Sequence, residues 1–118
     1  MLNKRIKQAL AYLLCSGIIM QPAVSAIAAD MPTGASIQSG KVTIANVNPN
    51  HLKIDQTSTK SVINWNSFSV HKNGKVDFNM PSSNSSSLNR VLGSTPSNIA
   101  GRINSNGQVI LVNPNGVF

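Results

Sequence analysis

The stretch Asn106-Gly107-Gln108-Val109-Ile110-Leu111-Val112-Asn113-Pro114-Asn115-Gly116 carries the choice of fold for this chain. After Gln108 it is apolar for four residues. A strand apolar on both faces is expected to be buried on both sides, as in a parallel sheet or a β-helix core. The turn chemistry points elsewhere. Asn106-Gly107 here and Asn73-Gly74 upstream each separate two strand-like runs, and Asn-Gly is a strong two-residue hairpin signal. Pattern alone leaves an antiparallel β-sandwich and a parallel β-helix both open, and no clean internal repeat separates them. Asn113-Pro114-Asn115-Gly116 fits a type I turn position by position. Asn accepts from the backbone at the first place, Pro presets φ at the second, and Gly is favoured at the fourth.

Working outward, the chain reads as all-β. Residues 30–118 contain 14 Asn, 14 Ser and no Glu, so helix formers are scarce and no window shows a 3.6-residue apolar repeat. Five or six strands are expected. Val42-Thr43-Ile44 alternates and runs on to Val47, ending at the turn Asn48-Pro49-Asn50. Leu52 and Ile54 alternate with Lys53 and Asp55, and Ile63-Asn64-Trp65 leads into Phe68 and Val70. Val76, Phe78 and Met80 share one face by period two. Residues 81–87 read as a serine-rich loop, and Ile99 and Ile103 flank Gly101.

Residues 1–29 have the layout of a secretory signal peptide. Lys4, Arg5 and Lys7 form a basic start, residues 9–20 are mostly apolar, and Ala26-Ile27-Ala28 before Ala29 is an A-x-A cleavage signature. The apolar run is shorter than the roughly 20 residues a spanning helix needs. Beyond it, seven basic residues face Asp30, Asp55 and Asp77, a net charge of +4 scattered singly. A nucleic-acid footprint needs a clustered basic face, so nucleic acid is not an expected partner. The one cysteine, Cys15, lies inside the signal segment, which excludes a disulfide scaffold.

An ordered set of motifs then carries a resemblance. Ile63-Asn64-Trp65-Asn66-Ser67-Phe68 is followed by Val76-Asp77-Phe78, the serine-rich loop and Asn89-Arg90-Val91. Gly101-Arg102-Ile103-Asn104-Ser105-Asn106-Gly107-Gln108-Val109 then leads into Asn113-Pro114-Asn115-Gly116. Over residues 40–118 this order resembles the N-terminal secretion domain of two-partner-secreted exoproteins, the filamentous-haemagglutinin and haemolysin family. The resemblance implies a right-handed parallel β-helix with an N-terminal cap, here incomplete, in which the two Asn-Gly pairs are either hairpins in the cap or tight corners between rungs. It implies a secretion-targeting segment of a large adhesin- or haemagglutinin-like exoprotein, with residues 30–118 as the front part of the domain. It also implies partners: the Sec machinery, then an outer-membrane transporter with periplasmic modules and a β-barrel. Host surfaces or neighbouring cells would be met by sequence further downstream. Passage through the periplasm and a secreted or surface-bound destination in a Gram-negative bacterium follow from the same likeness.

Residue roles follow in the same terms. Asn113, Pro114, Asn115 and Gly116 are candidates for transporter recognition or for a folding turn, since turn chemistry alone accounts for all four. Asn89 and Arg90 form a supporting motif, with Arg90 expected as a buried structural arginine that bonds neighbouring carbonyls or pairs with one of the three aspartates, and direct contact with the transporter as the second reading. Trp65, Phe68 and Phe78 are expected in cap and core packing. Asn48-Pro49-Asn50 echoes the later turn but has His51 in place of Gly, and reads as a turn only. No enzyme, cofactor or metal is expected. The three aspartates are far apart in sequence, and His51 and His71 have no cysteine or acidic partner at ligand spacing. The rival reading is a stand-alone exported surface or carbohydrate-binding β module.

Overall fold

A computed structural model describes residues 30–118. Residues 1–29, where the signal peptide and its cleavage site at Ala26, Ala28 and Ala29 are expected, lie outside the described residues. Every regular element described is a strand: β1 (Ser36–Ser39), β2 (Val42–Asn48), β3 (His51–Gln56), β4 (Lys60–Trp65), β5 (Lys75–Asn79), β6 (Ser86–Val91), β7 (Arg102–Ser105) and β8 (Gln108–Val112). No described helix is long and apolar enough to cross a membrane.

The strands form two four-stranded sheets, ordered β1-β4-β6-β8 and β2-β3-β5-β7. From β3 onward the chain alternates between them, and each strand pairs in parallel with the one two places later. Each coil therefore supplies one strand to each sheet and stacks on the coil before it. Bridges Val70↔Ile99 and Ser97↔Val117 form a short third side. This is a parallel β-helix of three rungs, β3–β4, β5–β6 and β7–β8. The cap is antiparallel: β2 folds back on β3 and β1 runs against β4.

Alternation decides what each rung buries. Leu52 and Ile54 of β3, Ile63 and Trp65 of β4, and Val76 and Phe78 of β5 point inward and are buried, with Phe68, Val70, Met80 and Val91 completing the core. Full burial of such a side chain stabilises by roughly 1.5–3 kcal/mol. The interior is not uniformly apolar. Gln56, Ser61, Ser85, Ser87, Asn89 and Ser97 are buried beside it. Ser61 Oγ donates to Gln56 Oε1 at 2.6 Å and contacts Ser87 Oγ at 3.0 Å, so the seryl groups satisfy one another.

Several expectations are corrected. β8 is not buried on both faces: Val109 and Leu111 turn inward, while Ile110 and Val112 are 47% and 45% exposed on the outer face. Of the two roles open to the Asn-Gly pairs under the resemblance, the structure shows corners. Asn73-Gly74 closes a turn in which Gly74 N donates to His71 O at 2.8 Å, and Asn106-Gly107 joins β7 to β8, which lie in different sheets. The two-residue hairpin is Pro49-Asn50, where Asn48 pairs with His51. The serine-rich loop ends at Ser85, because Ser86 and Ser87 already belong to β6. The strand through Ile63 stops at Trp65, before Phe68 and Val70, which lie on the third side.

Candidate functional site

The Asn113–Gly116 turn is a latch onto the rung beneath it. Gly116 N donates to Asn113 O at 3.0 Å, closing the β-turn, and Gly116 has φ +109°, a left-handed conformation that favours glycine. Asn115 N donates to Asn113 Oδ1 at 2.9 Å, an Asx turn within the β-turn. Asn48-Pro49-Asn50 repeats that bond at 2.8 Å, from Asn50 N to Asn48 Oδ1. The shared tripeptide thus encodes the same local turn twice.

What distinguishes the later turn is where its amides go. Asn113 Nδ2 donates to Thr95 O and to Ser97 Oγ, both at 3.0 Å. Asn115 Nδ2 donates to Gly93 O at 2.9 Å. The backbone continues the attachment: Ser97 N donates to Gly116 O at 2.9 Å and Phe118 N to Ser97 O at 2.8 Å. Below this, Gly93 N donates to Asn66 O at 3.1 Å, and Asn66 N to Thr33 O at 2.9 Å. One corner of the solenoid is therefore stitched through Thr33, Asn66, Gly93 and Asn115. Gly93 is required there, because a Cβ would fall onto the Asn66 carbonyl oxygen.

Asn89 and Arg90 separate into opposite environments. Asn89 is fully buried; its Oδ1 accepts from Trp65 Nε1 at 2.9 Å, and its Nδ2 lies 3.2 Å from Ser87 Oγ and 3.4 Å from Ile110 O. Arg90 is exposed, contrary to the expectation of a buried arginine, because it occupies the outward phase of β6. Its Nε donates to Asn64 Oδ1 at 2.9 Å rather than meeting an aspartate. Trp65 and Phe68 pack edge to face with centroids 5.1 Å apart, and Phe78 is 2% exposed.

Sequence reasoning missed Asn66, Gly93, Thr95 and Ser97 as members of the latch. Leu92-Gly93-Ser94-Thr95-Pro96 signals only a turn, and nothing local marks that turn as a docking point. The structure also pairs His51 with Asp77, His51 Nε2 lying 2.7 Å from Asp77 Oδ2 across strands 26 residues apart in sequence. Asp77 is held below its ordinary carboxylate pKa, first by the hydrogen bond from Asn104 Nδ2 at 2.9 Å. Partial burial opposes that shift, and His51 and Lys75 add to it. Among the described residues no group of three His, Cys, Asp or Glu could hold a metal ion.

The comparisons agree with this architecture. The TPS secretion domain family matches residues 28–118. A heme/hemopexin-binding protein of Haemophilus influenzae Rd is 40% identical over 96 residues, covering 81% of this chain and 10% of its own. A second Haemophilus influenzae protein of that name is 37% identical over 104 residues, covering 88% and 11%. The crystal structure of the HMW1 secretion domain from Haemophilus influenzae superposes with a TM-score of 0.68 at 35% identity, covering 73% of this chain and 23% of that one. The chain thus spans about a tenth of the length of the curated relatives it matches. The capped, parallel-coiled fold, the family match and these relatives together place the chain in the TPS secretion domain family, as an N-terminal secretion-targeting segment.

Proposed function

We propose that residues 30–118 are read by the transporter while extended in the periplasm, and that they nucleate the β-helix after crossing. The observation that carries this reading is the latch: the side-chain amides of Asn113 and Asn115 bond back to Thr95, Ser97 and Gly93 of the preceding rung. A turn whose amides are engaged within the fold serves rung stacking first. Its contribution to recognition is made before those bonds form.

The route begins with Sec-dependent export and removal of residues 1–29. Periplasmic modules of the transporter then add to the extended Asn- and Ser-rich chain by β-augmentation, where main-chain hydrogen bonds give affinity. Two properties suit a chain that must remain unfolded until it has crossed. Residues 30–118 have no cysteine to lock a premature fold. The first two rungs also bury polar Ser, Asn and Gln groups that bond in part to a neighbouring rung, as Ser61 does to Ser87 and Asn89 to Trp65. Collapse of one rung alone is therefore poorly rewarded, and stacking on a formed rung is favoured. Beyond the barrel, the β1–β2 cap templates β3 and β4, and every later rung adds in parallel. Adhesin- or haemagglutinin-like activity of the whole exoprotein, and its contacts with host surfaces or neighbouring cells, belong to other parts of it.

The test is secretion of a reporter fused behind the complete domain. The double variant Asn113→Ala/Asn115→Ala is expected to retain signal processing and to accumulate in the periplasm rather than the medium. Secretion at the parental level would refute a role for the turn in recognition or nucleation.

A further inference from the structure

On the outer face of the β2-β3-β5-β7 sheet, three basic side chains stand in register. His51 of β3 pairs with Lys75 of β5, and Lys75 pairs with Arg102 of β7. Neighbouring strands lie about 4.8 Å apart, and like charges directly opposite each other destabilise a sheet. Lys72 joins the column from the corner that precedes β5. These four residues line an open cavity of about 560 Å³, with Asn48 and Asn73 on its wall.

One carboxylate reaches the column. Asp77 Oδ2 lies 2.7 Å from His51 Nε2 and 3.8 Å from Lys75 Nζ, and its Oδ1 accepts from Asn104. Among the described residues, no carboxylate lies within ion-pair distance of Lys72 or Arg102; the remaining described ion pair joins Lys53 to Asp55. Lys72 and Arg102 are both exposed, so their charged ends are available to a ligand. The stacked coils therefore gather a positive site that the scattered charges of the sequence do not show, and the fold offsets only part of its repulsion.

We propose that this cavity binds an acidic saccharide, with a phosphate or sulfate group against Lys72, Lys75 and Arg102. The volume is far larger than a lone inorganic anion fills. The amide side chains on its wall offer both donors and acceptors, which suits hydroxyl groups. Charge-assisted hydrogen bonds to the oxyanion supply most of the affinity, and the amides discriminate a sugar from a bare anion. None of the residues that line it belongs to the latch.

The experiment is an NMR titration of the purified, ¹⁵N-labelled protein with glucose 6-phosphate, inorganic phosphate and glucose in parallel. Glucose 6-phosphate is expected to give saturable shifts confined to residues 48–51, 72–75 and 102, with an affinity roughly tenfold above that of inorganic phosphate, and glucose none. Lys72→Gln and Arg102→Gln each weaken binding by about tenfold, while Lys53→Gln, on the same face but paired with Asp55, leaves it unchanged. Absence of saturable shifts with glucose 6-phosphate overturns the proposal. Equal affinity for inorganic phosphate reduces the site to a simple anion contact and overturns its saccharide part. Equal weakening by Lys53→Gln shows attraction to net charge alone and overturns the site.

Discussion

The indole N–H of Trp65 donates to Asn89 Oδ1 at 2.9 Å between adjacent rungs, in a place where Trp65 is 2% exposed and Asn89 0%. An asparagine so deep is tolerated only because both ends of its amide are engaged, Oδ1 by Trp65 and Nδ2 by Ser87 and Ile110 O. The bond spans β4 and β6, and the contact with Ile110 reaches β8. One side chain thereby ties three consecutive strands of a sheet in a single register.

Replacing Asn89 with Leu leaves the Trp65 N–H buried without a partner. We expect a loss of about 1–3 kcal/mol, read as a lower urea midpoint with unchanged slope. Trp65 is the only tryptophan, so its fluorescence reports the transition directly. An unaltered midpoint would show that the bond contributes nothing net.

Gly93→Ala forces a methyl group against the Asn66 carbonyl at the stitched corner. Overpacking of this kind costs about 1–3 kcal/mol. The loss should be accompanied by faster amide hydrogen exchange at Leu92 and Gly93, whose N–H groups bond to Trp65 O and Asn66 O. Protection equal to the parent at those two amides would place the strain elsewhere.

Removing the latch amides with Asn113→Ala/Asn115→Ala deletes three hydrogen bonds to the preceding rung. Each contributes about 0.5–1.5 kcal/mol net. In stopped-flow refolding, the variant should fold more slowly if the latch forms in the nucleus, whereas a change confined to the unfolding rate would assign it to a late step.

Asp77 makes stability depend on acid. Its folded-state pKa lies below the ordinary value of 3.8, chiefly through Asn104, so its contribution is present in full above the unfolded value and disappears as pH falls through the folded one. Asn104→Ala moves the folded value back up. The variant should be less stable at neutral pH and lose less additional stability between about pH 5 and 3 than the parent does. Urea midpoints across that range check the sign, and parallel curves for the two proteins would contradict it.

How much of this was legible before folding differs residue by residue. Val76, Phe78 and Met80 could be read as one inward face because period-two alternation is a local property of the strand. Val109-Ile110-Leu111-Val112 misled, since apolarity states what a residue tolerates rather than which side is covered. Arg90 misled for a related reason: its neighbours Asn89 and Val91 are buried, and only the phase of β6 sends it outward. The Asn-Gly pairs signalled tight turns correctly but not their partners: the two-residue hairpin they favour needs glycine at positive φ, and neither Gly74 nor Gly107 adopts it in its corner.

By itself the sequence determined the all-β character, the strands β2, β3, β4, β5 and β8 in outline but not β1 or β6, and the two Asn-Pro-Asn turns. These depend on backbone preferences and bonds between residues a few positions apart. Only the tertiary structure decided that β4 stacks under β6 and β8, that Asn115 reaches Gly93, and that His51, Lys75 and Arg102 form one column. Those contacts join residues 22 to 27 positions apart within successive coils. Each coil carries loops of different length, so the spacing that brings them together is set by stacking geometry and leaves no fixed period to read along the chain.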